Sequence, residues 1–188
     1  MARHSTGNLR IIGGSARSRR LKFTAIGDLR PTPDRVRETL FNWLQNEIAG
    51  SHCADLFAGS GALGFEALSR GAARVTLVES HPRICKDLES NLSLLGFSHG
   101  EVVKQPVENY LDTCESKFDV VFLDPPYRLN ILPNLLQRLV DRELLRKDAM
   151  IYVEHHQSNP IPELPTVIKP WRQKICGAVE ARLIHYTG

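Results

Sequence analysis

Asp55-Leu56-Phe57-Ala58-Gly59-Ser60-Gly61-Ala62-Leu63-Gly64 reads as a strand that runs into a glycine-rich turn and out into a helix. The spacing Gly59-x-Gly61-x-x-Gly64 in that setting is the fingerprint of a Rossmann-like cofactor fold. Glycine at such places lets main chain approach a ligand where a Cβ would collide. Glu79 closes the next apolar run, twenty residues beyond Gly59, where a carboxylate can accept ribose hydroxyls.

Outward from this stretch, apolar runs and helical patterns alternate. Strands are expected at 52–57, 74–79, 101–104, 118–124 and 149–154, and helices at 61–70, 81–95, 106–113 and 131–141. Gly71 and Gly96 suit the C-terminal caps of the first two helices. Such alternation specifies an α/β fold, a mostly parallel sheet covered on both faces, with its ligand site at the carboxyl ends of the strands. After Pro160, Pro162 and Pro165 the rhythm changes, and 166–175 and 178–186 read as a C-terminal antiparallel hairpin at one sheet edge.

The turn by itself suits a nicotinamide dinucleotide and S-adenosylmethionine alike. Asp55 tips the balance, because a carboxylate near the turn assists a cationic sulfonium ligand with a free amino group and repels a pyrophosphate. The edge hairpin is also foreign to the usual dinucleotide sheet.

Asp124-Pro125-Pro126-Tyr127 follows the apolar run Phe118 to Leu123. An exocyclic purine amine is a poor nucleophile, since its lone pair is delocalised into the ring. Hydrogen bonds from its two N–H groups to the Asp124 carboxylate and the Pro125 carbonyl would localise that pair and aim it at a methyl donor. Tyr127 would stack on the base.

The N-terminal segment differs in character. Residues 1–40 carry nine Lys/Arg against three acids, while the remainder holds fifteen basic and eighteen acidic groups. A basic segment on a mildly acidic body points to a polyanion partner. Leu9, Ile11, Ile12, Leu21 and Phe23 are interleaved with the charges, unlike a disordered arm. Leu9 to Ile12 and Arg20 to Phe23 read as two short strands turned by Gly13-Gly14-Ser15. Thr32 and Pro33 fit the N-cap and first position of a helix whose apolar face is Val36, Leu40, Phe41, Leu44 and Ile48.

With 188 residues, 42% of them hydrophobic and 24% charged, the chain fits one domain with a small appendage. The division expected is 1–31 as basic RNA-binding strands and 32–188 as the catalytic domain. No apolar stretch reaches the length of a membrane span. The start leads into no signal-type h-region, so a cytoplasmic site is the expectation. Cys53, Cys85, Cys114 and Cys176 form no CxxC pair and read as buried reduced thiols. The adjacent His155 and His156 point to opposite strand faces and make no metal site. Trp43 and Trp171 read as core or edge packing, and Tyr152 as part of a buried strand.

The glycine-rich turn and the Asp-Pro-Pro-Tyr stretch look like motifs I and IV of class I S-adenosylmethionine-dependent amino-methyltransferases. The N-terminal half is more specific. Arg10-Ile11-Ile12-Gly13-Gly14, Arg17 to Leu21, and Arg30-Pro31-Thr32-Pro33-Asp34-Arg35-Val36-Arg37-Glu38-Thr39-Leu40-Phe41-Asn42 closely resemble the bacterial RsmD-type family. The resemblance runs from about residue 9 to the C-terminal hairpin. It implies methylation of N2 of one guanine in small-subunit (16S) ribosomal RNA. Beside the resemblance, an assembled or partly assembled subunit is the expected substrate and a monomer the default expectation. By the same resemblance, Asp55, Phe57, Gly59, Gly61, Glu79 and Val107 would line the cofactor site. Asp124, Pro125 and Tyr127 would hold the guanine, and Arg10, Arg17, Arg19, Arg20, Arg30 and Arg35, among the arginines before residue 38, would grip RNA. Gln105-Pro106-Val107-Glu108 stands where an acidic adenine contact is common, so adenine would rest on backbone amides, and Pro106 has none.

Three other functions share these residues. An adenine-N6 DNA methyltransferase uses the same amine motif, but the N-terminal block argues against it. A dinucleotide oxidoreductase would need a substrate domain that 188 residues barely allow. A non-catalytic RNA-binding module would keep the pocket as a relic.

Overall fold

A computed structural model describes residues 5–26, 31–126, 131–158, 161 and 164–188. Among them, strands β3 (His52–Asp55), β4 (Arg74–Glu79), β5 (Gly100–Lys104), β6 (Phe118–Leu123), β7 (Leu145–His156), β8 (Ile168–Cys176) and β9 (Val179–Tyr186) form one sheet in the order β5-β4-β3-β6-β7-β9-β8. The first five of that order are parallel; β9 runs antiparallel between β7 and β8. The expected mostly parallel sheet with an edge hairpin is therefore the architecture found. Parallel strands buried on both faces need continuous apolar runs, which Val120 to Leu123 and Met150 to Val153 supply.

Two apolar clusters cover the sheet. On one face, Cys53, Val75, Leu77, Val120, Phe122, Met150 and Tyr152 pack under α1 (Asp34–Trp43), α2 (Ala62–Ser69) and α3 (Pro82–Leu95). On the other, Ala54, Val78, Val121, Leu123, Ile151 and Val153 pack under α4 (Val107–Thr113) and α5 (Leu132–Asp141). The strict alternation of strand side chains produces this partition.

The basic strands β1 (Ser5–Arg10) and β2 (Arg20–Ala25) form a separate antiparallel pair. Leu9, Ile11, Leu21 and Phe23 join the first cluster, beside Phe65 and Leu88. The Thr24 N–H donates to Asp87 at 2.7 Å, and Asn91 Nδ2 donates to the Lys22 carbonyl at 3.0 Å, which fastens β2 to α3.

Most element boundaries fall within a residue or two of expectation. Strand β1 does not: it covers Ser5–Arg10 rather than 9–12, so Ile11 and Ile12 lie beyond its end. Helix α1 ends at Trp43, and Leu44 and Ile48, expected on its apolar face, are buried from the turns that follow. Helix α1 starts one residue late: the Pro33 carbonyl takes the first turn's N–H groups from Val36 and Arg37, while the Thr32 carbonyl accepts from Arg37 Nε. Thr32 therefore caps nothing, and Pro33 is the N-cap. Strand β7 extends back to Leu145, because Phe118 pairs with Leu145 before a bulge and regular pairing resumes at Val120 and Met150. Gly96 caps α3 in the left-handed conformation. Cys53, Cys85 and Cys114 are buried free thiols, and Cys176, at the end of β8, is only half-buried. No helix among the described residues is long and apolar enough to cross a membrane.

Candidate active site

Four carboxylates meet at the carboxyl ends of four neighbouring strands. Asp55 lies opposite both Leu77 and Phe122. Two residues on, the same alternation brings Glu79 and Asp124 to the same sheet face. Leu123 opposite Val153 then sets Asp124 beside Glu154. In sheet order the four acids read Glu79, Asp55, Asp124, Glu154, with Asp55 two residues short of the level of the other three.

Each carboxylate is held differently. Asp55 is buried, and one of its oxygens accepts the Gly64 N–H at 2.9 Å, in the first turn of α2. Burial pushes its carboxyl up to about 7, against the Gly64 hydrogen bond and with the Glu79 charge adding to the rise. Glu79 is half-buried; its oxygens accept from the Gly59 N–H at 3.1 Å and the His81 N–H at 2.7 Å. Glu154 is buried and accepts the Tyr152 hydroxyl at 2.7 Å. Asp124 is part-exposed, yet burial of its carboxyl, reinforced by the charges of Glu154 and Asp55, raises it well above the usual carboxylate range. Like charges this close cannot all ionise without a cation among them.

The turn before α2 requires its glycines. Gly59 and Gly61 have φ of 49° and 78°, the left-handed region that disfavours a Cβ. A Cβ on Gly61 would also enter the Phe65 ring and come within 2.8 Å of Leu88. The Glu79–Gly59 hydrogen bond ties this turn to the end of β4, so the expected cofactor residues Asp55, Gly59, Gly61 and Glu79 form one assembly, with Phe57 half-buried inside the loop. Val107 stands apart in part. Its side chain is buried with Leu56, Val78 and Tyr110 on the opposite sheet face, which leaves its N–H, at the first position of α4, as the group to offer a ligand.

Pro125 is buried immediately after β6. Tyr127 lies outside the described residues, as does Arg30. Arg10, Arg17, Arg19, Arg20 and Arg35 are all exposed. Arg10 pairs with Asp34 at 2.8 Å, and with Arg17 it lines a cavity of about 240 Å³ that Glu38 also borders. Arg19 reaches the Leu94 carbonyl at 3.3 Å. Arg37 is withdrawn from any surface role: it is 1% exposed and donates to Asp34 and to the carbonyls of Thr32 and Arg10.

The model of the family described as Conserved hypothetical protein 95 matches residues 9–185. The chain belongs to this family. Its relatives include the ribosomal RNA small subunit methyltransferase D of Escherichia coli K12, 43% identical over 178 residues that cover 95% of this chain and 90% of the relative. The Haemophilus influenzae protein of the same name is 42% identical, covering 96% and 95%. A solved structure of a putative methyltransferase from Escherichia coli superposes with a TM-score of 0.89 at 40% identity, covering 97% of this chain and 99% of that one. The RsmD-type resemblance and the class I methyltransferase fold are thus those of the family.

One of the four acids, Glu154, was not singled out from sequence. Glu154 interrupts the apolar run of β7, and an acid at the buried end of a strand was the signal available. Its partner Tyr152, which read as plain core, spends its hydroxyl on that acid.

Proposed function

We propose that this chain transfers a methyl group from S-adenosylmethionine to the N2 amine of one guanine in 16S ribosomal RNA, in an assembled or partly assembled small subunit. The observation that carries the reading is the cluster of Glu79, Asp55, Asp124 and Glu154 at the strand ends beside Pro125. The names of the two relatives support a ribosomal RNA substrate.

The donor set fits S-adenosylmethionine, a ligand of cations and hydroxyl donors, and does not fit a pyrophosphate. Glu79 suits the ribose hydroxyls, the Gly59–Gly61 turn the close main-chain approach, and the Val107 N–H the adenine. When bound, S-adenosylmethionine supplies an electrophilic methyl group on an activated sulfonium.

The remaining work belongs to the chain. Asp124 and the Pro125 carbonyl each accept one N–H of the amine, restoring nucleophilic character to nitrogen and fixing its direction. With the methyl–sulfur bond broken and its electron pair left on sulfur, the new N–C bond would leave one N–H proton surplus, and the Asp124 carboxylate, whose affinity for a proton is raised, would accept it. A base inside a helix cannot reach this cluster, so the target must be unpaired or flipped out, which costs a few kcal/mol when it is paired.

Methyl transfer from labelled S-adenosylmethionine to undermethylated small subunits, beside naked 16S RNA and duplex DNA, with nucleoside analysis, tests the proposal. N2-methylguanine from ribosomal material is expected, and label on adenine would overturn it. Asp124→Ala should lower turnover by about 10²–10³-fold with S-adenosylmethionine binding largely kept; unchanged turnover would sink the mechanism.

A further inference from the structure

Strand β8 forms the outer edge of the sheet and carries Lys169, Arg172 and Lys174 with no acid between Ile168 and Cys176. Register puts all three on one face. Lys169 lies opposite His185, itself opposite Met150; Arg172 opposite Leu183 and then Tyr152; Lys174 opposite Ala181 and then Glu154. Met150 and Tyr152 belong to the apolar cluster of the active-site face, and Glu154 stands beside Asp124. The three cations therefore share the face of Asp124. Lys174 lies in Asp124's own row three strands away, about 14 Å at the usual strand spacing.

Trp171 is the extra residue where pairing shifts between Pro170 and Arg172. It is 55% exposed, with its ring edge-on to His185 at 5.6 Å. Among the described residues no carboxylate lies within ion-pair distance of Lys169, Arg172 or Lys174. Lys174 Nζ donates to Thr39 Oγ1 at 2.8 Å. Thr39 is one turn from the exposed Arg35 and bonds its carbonyl, so the strip on β8 joins the N-terminal basic cluster at the rim of the site.

Lysine, proline and a bulge on an edge strand also prevent edge-to-edge pairing. That purpose accounts for Lys169 and Pro170. It does not account for a large aromatic left exposed, nor for cations confined to the active-site face.

We infer that β8 is a second RNA-binding strip, in which Lys169, Arg172 and Lys174 hold phosphates of the strand flanking the target base and Trp171 stacks on an unpaired neighbour. This rests on the ribosomal RNA reading above. Cations set along a row with an aromatic between them are the pattern of single-strand recognition.

The test measures binding of the full chain to deproteinised 16S RNA and to small subunits across a salt series, with S-adenosylmethionine affinity as a control. Lys169→Ala with Arg172→Ala should weaken RNA binding about tenfold near 0.1 M salt and reduce the log–log salt slope by about 1.4, or about 0.7 for each phosphate lost. Trp171→Ala should weaken binding about tenfold with the slope kept, and Trp171→Phe should recover most of the loss. An unchanged slope in the double variant, or unchanged affinity in Trp171→Ala, overturns the inference. So does loss of subunit binding with naked-RNA affinity intact, which would assign the strip to a ribosomal protein. A wild-type chain that neither binds nor methylates ribosomal RNA would instead overturn the reading of function beneath it.

Discussion

Asp124 presents a tension at the level of a single side chain. The proposed chemistry needs its carboxylate, whereas burial, Glu154 and Asp55 together favour the protonated acid. A cation resolves it. A sulfonium and an ammonium brought among Asp55, Asp124 and Glu154 would lower their proton affinities, so binding must expel protons. Affinity for S-adenosylmethionine should rise with pH through about 7, the value to which burial lifts Asp55. Titration calorimetry in two buffers of different ionisation enthalpy reads the protons released; identical heats in both would refute the coupling. Asp55→Asn keeps an acceptor for the Gly64 N–H and should remove part of the proton count. The second consequence concerns Glu154. It faces Asp124 with Tyr152 behind it and Asp55 one strand beyond. Glu154→Gln removes a like charge, lowers Asp124's proton affinity and should move the acid limb of kcat/KM to lower pH. A limb that stays in place while turnover falls would make Glu154 a structural residue only.

At the scale of elements, the organising feature is α2, buried along its whole length between the sheet and the N-terminal strands. Glu66 is 0% exposed and accepts the N–H groups of Ile12 at 2.9 Å and Gly13 at 2.8 Å, Arg70 Nε at 2.7 Å and, more weakly, Arg37 at 3.5 Å. Ser69 adds its own bonds to Gly13 and Ala16. Breaking such a buried charge network by truncating one partner costs about 3–5 kcal/mol, so Glu66→Ala should lower the urea midpoint strongly and loosen the basic strands first. Hydrogen exchange that reports equal protection of Ile12 and Gly13 in both proteins would contradict this. These contacts also mark where sequence reading stops. The sheet, its helices and the edge hairpin follow from periodicity and from Gly and Pro punctuation, which are local signals. The turn residues Gly59 and Gly61 and the strand-end acids Asp55, Glu79 and Asp124 sit at fixed offsets from those signals and were legible for the same reason. Glu66 lies inside Ala62-Leu63-Gly64-Phe65-Glu66-Ala67-Leu68, a helix that reads as apolar, and its main-chain partners Ile12 and Gly13 come from more than fifty residues away. Arg37 counts as one basic charge in a composition, and only the fold shows it spent on Asp34, Thr32 and Arg10. Trp171 reads as packing because exposure on an edge strand depends on strand order, and strand order is not a local property.

Across the whole molecule, charge is divided by the sheet. The face that bears Asp124 also carries the basic strands β1 and β2 through Leu9, Ile11, Leu21 and Phe23. The opposite face, under α4 and α5, presents Glu108, Asp112 and Asp141, with Arg138 held by Asp112 at 2.8 Å. For the ribosomal RNA substrate proposed above, this division would favour approach on the side that bears Asp124. Exposed arginines on a common face act mainly through phosphates, and each phosphate contact with single-stranded nucleic acid contributes about 0.7 to the salt slope. Replacing Arg17, Arg19 and Arg20 together by Ala should therefore flatten the slope by about 2 and weaken RNA binding at all sequences alike, without moving S-adenosylmethionine affinity. Arg10 and Arg35 make a control pair with a different expectation. Arg10 is already neutralised by Asp34, whose carboxyl it holds below the usual range, so Arg10→Ala should change the slope less than Arg35→Ala does. If Arg10→Ala proves the larger of the two, RNA must displace Asp34 from Arg10 on binding, and the exposed pair would be a gate rather than a strut. If the triple variant keeps its slope, the N-terminal arginines serve the fold and the polyanion is held elsewhere on this face.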